Sequence, residues 1–387
     1  MVSTRIIYYL YLVHVYVLLV VIMDNYMELL EFARRVTNKT LQEIFDEVDV
    51  EAKGVSSKVV DIPFISRDYT LRGGKRLRAF LVLIGYWSRK WGYGNIDSIK
   101  YLMAGIEFLQ SYLLVHDDIM DEDEIRRGGP TVHVWFDRKC REEGLISRCK
   151  HYGVSQAIIV GDYLESLAVS MFTRLNLPDY ALKELIKTYT RGVRLVAYGQ
   201  FLDVLIANTP LKKVSEDDVY NIHMLKTASY TVELPLHLGA IASLMYNNEL
   251  LMELSQYALP AGIAFQLQDD ILGLYGDPKV TGKPVGSDVR EKKKTLLIVK
   301  AYQFADADDK KFLEELYDKR KPEEITDEDI RRVQSIVRET GSLDYSVKKM
   351  NEYVERARNA LRSSVIINET ARNILEWLLE LFIKRRH

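Results

Sequence analysis

Apolar residues recur at helical spacing along most of the chain from Asp24 onward. Near the end, one helix face is marked by Val347, Met350, Val354, Ala357 and Leu361, at steps of three and four residues. Proline is scarce, with nine in all, and no alternating strand runs joined by hairpin turns occur. The pattern predicts an all-α protein, a bundle of ten or more helices.

Local signals predict several helix boundaries. Ser215–Asp218 and Thr326–Asp329 each combine a capping oxygen with a carboxylate three residues later, which is typical of a helix start. Gly341 followed by Ser342 predicts the end of one helix and the start of the next. Loops are predicted at 126–130 and 276–287, and a polar surface insertion at 138–152.

An apolar run of 18 residues, Ile6–Met23, precedes the amphipathic sequence. It is just long enough to span a bilayer, and no small-residue cleavage site of a signal peptide follows it. Three interpretations are open: a membrane anchor, an extension packed on the body, or translated sequence upstream of the natural start. Met23 and Met27 stand directly before the helical sequence. This favours a mis-called start or a dispensable extension at residues 1–23, the only candidate membrane contact, rather than an anchor. Length alone would allow two or three domains in residues 24–387.

Composition narrows the function classes. Lysine plus arginine (53) nearly balance aspartate plus glutamate (55), for a formal net charge of −2, so no overall basic field indicates a nucleic-acid partner. The two cysteines, Cys140 and Cys149, form no Cys-x-x-Cys pattern. They argue against a disulfide framework or a thiolate metal site and favour a reducing, cytoplasmic location.

Three carboxylates end a strongly apolar helical stretch: Asp117, Asp118 and Asp121. At about 100° per residue, Asp117 and Asp121 lie on one helix face, a turn apart, and Gln110 shares that face. Carboxylates in this setting repel one another and are costly to desolvate unless a cation neutralises them. Oxygen ligands suit Mg²⁺, so the cluster is either a magnesium site or an acidic, solvated helix end.

A second acidic face follows on another apolar stretch, where Gln266, Asp269 and Asp270 stand at positions i, i+3 and i+4. A second cluster of this kind makes a solvated helix end a poorer explanation for both. Two such helices facing each other across a bundle could hold several divalent ions around one diphosphate.

Basic residues accompany the two acidic clusters. Gly73-Gly-Lys-Arg-Leu-Arg78 opens an apolar helix, where glycine amides and basic side chains together suit an anion. Further cations are Arg126, Arg127, Lys226, Lys283, Lys293 and Lys294. Any one of them could be a solvated surface charge. Jointly, they are what two diphosphates and bridging metals would require.

In these motifs the chain resembles the trans-isoprenyl diphosphate synthase (polyprenyl synthetase) family, and its archaeal geranylgeranyl diphosphate synthases in particular. The resemblance covers roughly residues 71–300. Besides the basic helix start, it rests on Asp117-Asp-Ile-Met-Asp121, Arg126-Arg-Gly128, Gly161-Asp-Tyr-Leu164, Gly199-Gln-Phe-Leu-Asp203, Lys226-Thr-Ala228, Gln266-Leu-Gln-Asp-Asp270 and Gly282-Lys283. It implies an all-α homodimer of the isoprenoid synthase type, with one deep cavity per subunit and a single catalytic domain.

The resemblance also implies roles for single residues. Two or three Mg²⁺ ions per site, with Mn²⁺ as a substitute, would be held by Asp117, Asp121 and Asp269, supported by Asp118 and Asp270. The allylic diphosphate would be bound by Arg126, Lys226, Gln266 and Lys283. The isopentenyl diphosphate would be bound by Gly74, Lys75, Arg78, Gln110 and Arg127. The reacting chain and its diphosphate would be positioned by Thr227, Gln200 and Lys293.

Two positions depart from the family pattern. Gln110 stands where many relatives have histidine, and either side chain can donate a hydrogen bond to a phosphate. Gly273 stands where many members have the third aspartate of the second cluster, which leaves the number of ions at that cluster open.

The implied reaction is a head-to-tail condensation of isopentenyl diphosphate with an allylic diphosphate, through ionisation, condensation and elimination. It gives a linear all-trans prenyl diphosphate, and the departed diphosphate would take the proton. Leu109, Tyr112 and Leu113 would form the floor of the product cavity. The bulky Tyr112 resembles the pattern of enzymes with a C20 product, geranylgeranyl diphosphate, although it could equally be an ordinary core tyrosine.

Alternative functions are a farnesyl or a longer-chain (C25–C30) synthase, a non-catalytic regulatory subunit, and a terpene cyclase. A cyclase would not need the second diphosphate site at Gly74, Lys75 and Arg78. A regulatory subunit would be expected to lose some of the four residues Asp117, Asp121, Arg126 and Lys226, and all four are present.

Overall fold

The computed structural model describes residues 26–276 and 285–383, and the apolar run at 6–23 lies outside them. The described residues are almost entirely helical, which confirms the all-α prediction. The α-helices are α1 Tyr26–Val55, α2 Asp61–Leu71, α3 Leu77–Tyr86, α4 Lys100–Met120, α5 Val132–Glu142, α6 Cys149–Ser170, α7 Asp179–Ala207, α8 Glu216–Ile222, α9 Leu234–Ala242, α10 Asn248–Tyr275, α11 Ser287–Arg290, α12 Leu296–Phe304, α13 Ala307–Glu314, α14 Asp327–Glu339, α15 Ser342–Ser363 and α16 Glu369–Ile383. Across both described ranges, none of the helices has the length and apolar character needed to cross a membrane.

Shorter elements connect these helices. The 3₁₀ turns are Ile96–Ser98, Met171–Arg174, Leu211–Lys213 and Pro322–Glu324, and the π-helical segments are His223–Glu233 and Glu315–Lys319. The predicted loop at 126–130 forms a tight antiparallel hairpin, in which β1 (Ile125–Arg126) pairs with β2 (Gly129–Pro130).

The predicted helix boundaries are confirmed. Ser215 and Asp218 exchange hydrogen bonds in a capping box at the start of α8, and Thr326 and Asp329 do the same at α14. Gly341 adopts φ 73° between α14 and α15, a left-handed conformation that glycine enters without steric strain. The apolar stripe of α15 is buried at Met350, Val354, Ala357 and Leu361, whereas Val347 is half-buried.

Aromatic residues from several helices meet in the largest apolar core. Its fully buried members include Phe45 of α1, Phe80 of α3, Phe108 of α4, Tyr257 of α10 and Phe382 of α16. A smaller core joins α12, α13 and α14 through Leu297, Leu313 and Val333. The large core fixes the positions of α4 and α10, the two helices that carry the acidic clusters.

Cys140 and Cys149 form a disulfide bond, so the prediction from the cysteine pattern is wrong. The segment 138–152, predicted as a polar surface insertion, is largely exposed. It contains the end of α5, a turn and the start of α6, and this helical hairpin brings the two Cα atoms within 5.5 Å of each other. That distance suits a disulfide. A spacing of nine residues gave no hint of the bond, because the pairing depends on the hairpin of helices.

We expect the disulfide to stabilise the α5–α6 hairpin by about 2 kcal/mol, since it closes a short loop in the unfolded chain. Cys149→Ala should lower the melting temperature by a few degrees and make it insensitive to reductant. The unaltered protein should fall to the same temperature when dithiothreitol is added. Thiol labelling of the denatured, unreduced protein should find no free thiol; two free thiols would show that the bond is not made.

Candidate active site

Asp117 lines a polar cavity of about 770 Å³ at the C-terminal end of α4. The remaining walls come mainly from α7, the π segment His223–Glu233, α10 and the residues that follow α11. Asp121, one turn after Asp117, lies at the cavity edge with its carboxylate 3.5 Å from Lys293 Nζ. The first acidic cluster therefore reaches the cavity through the helix face that the spacing predicted.

Asp117 is held ionised by neighbouring cations. Its Oδ1 accepts hydrogen bonds from Lys226 Nζ at 3.0 Å and from Gln200 Nε2 at 3.2 Å. Burial alone would raise the pKa of Asp117, but the charges of Lys226 and Lys293 outweigh burial and hold the pKa below its usual value. Asp117 is therefore a stable negative charge in the cavity.

Asp121 responds differently to the same surroundings. Burial, followed by repulsion from Asp117, raises the pKa of Asp121 to about 6. The pair thus carries more negative charge than its protein neighbours neutralise, which is the condition that a bound cation relieves.

Asp118 points away from the cavity and is fully buried. Its Oδ2 accepts a 2.6 Å hydrogen bond from Tyr69 Oη, and its Oδ1 pairs with Arg126 Nε. Burial raises the pKa of Asp118 to about 6. Arg126 also donates to Asp123 at 2.9 Å and lies 3.9 Å from Asp117. Asp118 therefore anchors Arg126 beside the cavity, which fits the supporting role implied for it.

Lys226 lies on the π-helical segment, between Asp117 and Asp203. Its Nζ is 3.0 Å from Asp117 Oδ1 and 2.5 Å from Asp203 Oδ2. Gly199 of α7 permits this arrangement, because a Cβ there would lie 2.4 Å from the backbone nitrogen of Lys226. The close approach brings Gln200, Lys226 and the first acidic cluster together.

The second acidic cluster faces the first from α10. Gln266 Oε1 accepts a 2.8 Å hydrogen bond from Thr227 Oγ1, and Gln266 Nε2 donates to Asp270 Oδ1 at 3.0 Å. Asp269 and Asp270 both line the cavity. Asp270 is buried, with Oδ2 3.0 Å from His223 Nε2. Asp270 therefore helps to hold Gln266 and His223 at the cavity wall.

Basic and amide groups form the other end of the cavity. Arg78 donates to Tyr230 Oη at 2.9 Å and to Thr231 Oγ1 at 2.7 Å. The Oε1 atom of Gln110 is buried and finds no hydrogen-bond partner among the described residues. Arg127 lies over Gly74, whose added Cβ would be 3.4 Å from the guanidinium. Burial, helped by Arg76, lowers the pKa of Arg127, so this end favours an anion.

Lys75 and Lys294 are placed differently from these cations, although Lys294 lines the cavity. Lys75 is exposed and does not line the cavity, whereas Arg78, three residues later, does. Lys294 is buried and donates to the carbonyl oxygens of Ile206 and Ala207 at the end of α7, so it acts as a helix cap. Lys283 lies outside the described residues.

Sequence reasoning missed the buried pair Arg76 and Glu107. Arg76 donates to Asn38 Oδ1 at 2.9 Å, to Glu107 Oε2 at 3.0 Å and to the carbonyl oxygen of Thr70 at 2.7 Å. Glu107 Oε1 also accepts from the backbone amide of Ala79 at 3.3 Å. The network ties the basic helix start to α1, α2 and α4. A lone glutamate inside the apolar stretch of α4 was the available signal, because a buried charge requires a partner.

Asp203 and His223 were also missed. Asp203 stands in the quoted motif Gly199–Asp203, so the signal was present, but its pairing with Lys226 depends on tertiary contact. No local pattern marks His223, whose partner Asp270 is distant in sequence.

An apolar cavity of about 380 Å³ adjoins the polar one. Tyr112 and Leu113 line it together with Val193, Val196 and Phe201 of α7. Leu109 lies one turn before Leu113 on the same helix face; it is fully buried in the core and does not line this cavity. Of the three residues predicted for the floor, the structure thus places two at the cavity.

The donor groups fit a divalent cation such as Mg²⁺. Asp117, Asp121 and Asp269 offer only oxygen atoms, and the pKa of Asp121 is raised by burial and then by repulsion from Asp117, both of which a bound cation would offset. Within residues 26–276 and 285–383, no three acidic, histidine or cysteine side chains converge on one point. The protein would therefore contribute one or two carboxylates to each ion and leave the rest of the shell to water and substrate phosphates, as is common for Mg²⁺.

Comparison with known proteins gives one consistent result. The polyprenyl synthetase family profile matches residues 65–337. The chain is 34% identical over 317 residues to the geranylfarnesyl diphosphate synthase of Aeropyrum pernix, covering 81% of this chain and 91% of the relative. It is also 34% identical over 319 residues to the geranylgeranyl diphosphate synthase of Saccharolobus solfataricus, covering 81% and 87%.

Solved structures agree with these relatives. The geranylgeranyl pyrophosphate synthase of Corynebacterium glutamicum, complexed with isoprenyl diphosphate and magnesium, gives a TM-score of 0.84 at 30% identity, over 92% of this chain and 99% of that one. The polyprenyl synthase of Caulobacter crescentus, complexed with calcium and isoprenyl diphosphate, gives 0.77 at 26% identity, over 94% and 98%. The resemblance found in the sequence is confirmed: the chain belongs to the polyprenyl synthetase family of prenyltransferases.

Proposed function

We propose that the protein joins isopentenyl diphosphate head to tail to an allylic diphosphate. The product is a linear all-trans prenyl diphosphate, with geranylgeranyl diphosphate (C20) as the main species. The observation that carries this proposal is the meeting of two carboxylate-bearing helices and several cations around one cavity, which continues into an apolar cavity. The curated relatives named above, synthases of geranylgeranyl and geranylfarnesyl diphosphates, support the product class.

The allylic diphosphate is assigned to the end of the cavity between α4 and α10. Lys226, Arg126 and Gln266 border this space, and Lys283 is proposed to join them. Asp117, Asp121 and Asp269 would hold Mg²⁺, with Mn²⁺ as a substitute. When bound, the cation adds positive charge to the leaving diphosphate. Thr227 fixes the Gln266 side chain through their 2.8 Å hydrogen bond, and Gln200 fixes Asp117.

The isopentenyl diphosphate is assigned to the opposite, basic end. Arg78, Arg127 and the amides around Gly74 would supply donors there, and Gln110, whose Nε2 can donate, lines the same cavity. Lys75, now exposed, is expected to turn toward the bound phosphate. The two diphosphates would thus be separated along one cavity with their reacting carbons between them.

The reaction follows from this arrangement. The carbon–oxygen bond of the allylic diphosphate breaks, and Lys226 and Arg126 stabilise the departing anion. The double bond of isopentenyl diphosphate attacks the allylic carbocation and forms the new carbon–carbon bond. A proton then leaves the condensed chain for the departed diphosphate. The hydrocarbon tail occupies the apolar cavity, whose lining keeps water away from the allylic carbocation.

We also propose that the protein is a homodimer, as the family resemblance implies, and that it is cytoplasmic. The Cys140–Cys149 disulfide means that this location no longer follows from the cysteine pattern. Exposed apolar side chains on α7, among them Tyr198, Phe201 and Leu205 at 59%, 69% and 49% exposure, support an association surface.

The full chain should condense labelled isopentenyl diphosphate with C5, C10 and C15 allylic diphosphates when Mg²⁺ is present. Products are to be resolved by length after dephosphorylation, and we expect C20 to dominate. Omission of either substrate, or chelation of the metal with EDTA, should abolish product. A folded protein that makes no condensed product under these conditions would favour a regulatory subunit or a cyclase instead.

Tyr112→Ala should lengthen the product beyond C20, because the substitution removes the phenol that narrows the apolar cavity. The readout is the product length with the C15 starter. Met103→Ala is the matched control, because Met103 is fully buried on the opposite face of the same helix. It should cost about 2–5 kcal/mol of stability as a buried truncation yet leave product length unchanged. A C20 product from Tyr112→Ala, or a longer one from Met103→Ala, would reassign the floor.

Glu107→Gln should raise KM for isopentenyl diphosphate about tenfold, since a charged hydrogen bond to Arg76 is lost behind the basic helix start. The KM for the allylic diphosphate and kcat should change little. Glu165→Gln, which alters a half-buried carboxylate bonded to Tyr189 Oη at 2.7 Å, is the control and should affect neither KM. Equal increases in both KM values for Glu107→Gln would contradict a local effect.

A further inference from the structure

The two acidic walls of the cavity differ in one respect. On α4, Asp117 and Asp121 stand four residues apart and present two carboxylates from one helix face. On α10, the residue four positions after Asp269 is Gly273, which has no side chain to offer. The α10 wall therefore has no second carboxylate of its own helix one turn after Asp269, whereas on α4 Asp121 follows Asp117 by one turn.

Another carboxylate fills the space beside Gly273. A Cβ built on Gly273 would lie 2.1 Å from Asp288 Oδ2, 2.4 Å from its Cγ and 2.8 Å from its Oδ1. All three atoms of the Asp288 carboxylate thus occupy the volume that a side chain at 273 would take. The segment is fixed there by a 3.1 Å hydrogen bond from the Gly286 amide to the Gly273 carbonyl oxygen.

Helix geometry then places Asp288 relative to Asp269. Cβ positions four residues apart on one helix face are about 5–6 Å from each other. The carboxylate in the side-chain volume of Gly273 is therefore about as far from Asp269 as Asp121 is from Asp117. A pair of carboxylates exists on each wall, although the second pair combines two elements, α10 and α11.

The ammonium of Lys293 lies between Asp121 and the segment that carries Asp288. Its Nζ is 3.5 Å from Asp121 Oδ2 and 2.7 Å from Glu291 Oε2. The backbone amide of Lys293 donates to the carbonyl oxygen of Asp288 at 2.8 Å. A positive charge of the protein is therefore already held between Asp121 on α4 and the turn that follows Asp288.

We propose that Asp288 supplies the carboxylate missing at Gly273 and acts with Asp269 to hold a divalent cation on the diphosphate. Gly273 is then a requirement of the arrangement, because any side chain at that position would displace Asp288. This inference rests on the proposed function and assigns to its metal site a residue from outside the two acidic motifs.

The test measures Mg²⁺ binding directly, as the rise in melting temperature on titrating Mg²⁺ in the presence of inorganic diphosphate. For the full chain carrying Asp288→Ala or Asp288→Asn, we expect the Mg²⁺ concentration at half-maximal effect to rise about tenfold. The Mg²⁺ dependence of kcat should shift in parallel. Asp288→Asn keeps the shape of the side chain, so it remains informative if the alanine variant does not fold.

A carboxylate swap separates a ligand role from a structural one. Gly273→Asp alone should be destabilised, since its Cβ meets Asp288. The double variant Gly273→Asp/Asp288→Ala returns a carboxylate to the same place from α10 and should recover most of the Mg²⁺ response. Asp327→Ala is the control. Asp327 is exposed and belongs to α14, and it pairs with Arg290 of α11, the short helix that also carries Asp288. It should leave the Mg²⁺ response unchanged.

Each alternative outcome overturns the proposal. It fails if Asp288→Asn keeps the unaltered Mg²⁺ response, if the folded double variant is no better than Asp288→Ala, or if the unaltered protein shows no Mg²⁺-dependent stabilisation. The melting measurement requires no condensation. A protein that binds Mg²⁺ and diphosphate through Asp288 but makes no prenyl product would therefore contradict the proposed function alone.

Discussion

The site depends on the repulsion between Asp117 and Asp121, two carboxylates one turn apart at the end of an apolar helix. Burial makes each charge costly, and proximity makes the second costlier than the first, as the raised pKa of Asp121 shows. Two lysines offset these charges: Lys226 of the π segment pairs with Asp117, and Lys293, which follows α11, lies near Asp121. Their positions require close backbone approaches such as that of Gly199 to Lys226.

The remaining imbalance of charge links stability to function. The charges of Lys226 and Lys293 hold the pKa of Asp117 below its usual value, whereas burial and the charge of Asp117 raise the pKa of Asp121 to about 6. A divalent cation bound beside Asp121 would relieve that unfavourable charge and gain binding free energy from it. Complete pairing of the carboxylates with lysine and arginine would make a more stable protein and a weaker metal site.

Local pattern predicted what depends on neighbours along the chain. The two acidic faces, the caps at Ser215 and Thr326 and the stop at Gly341 follow from helical spacing and were correct. Three other features depend on contacts between separate elements. Asp118 turns away from the cavity to Tyr69, Glu107 anchors Arg76, and Cys140 bonds to Cys149. No periodicity encodes such contacts. A charge within an apolar stretch does show that a partner must exist, without saying which residue it is.

The boundary between the two cavities explains how charge and chain length act together. Both cavities are lined by Leu114, Asp117, Lys226 and Tyr230, so the groups proposed to stabilise the leaving diphosphate stand where the two cavities meet. In the proposed reaction the carbon that becomes cationic would lie at this opening, since its diphosphate would occupy one cavity and its hydrocarbon the other. Each added isoprene unit would push the tail toward Tyr112 while the reactive end stays beside Lys226. Elongation should therefore stop when the apolar cavity is full, with the charged groups unchanged.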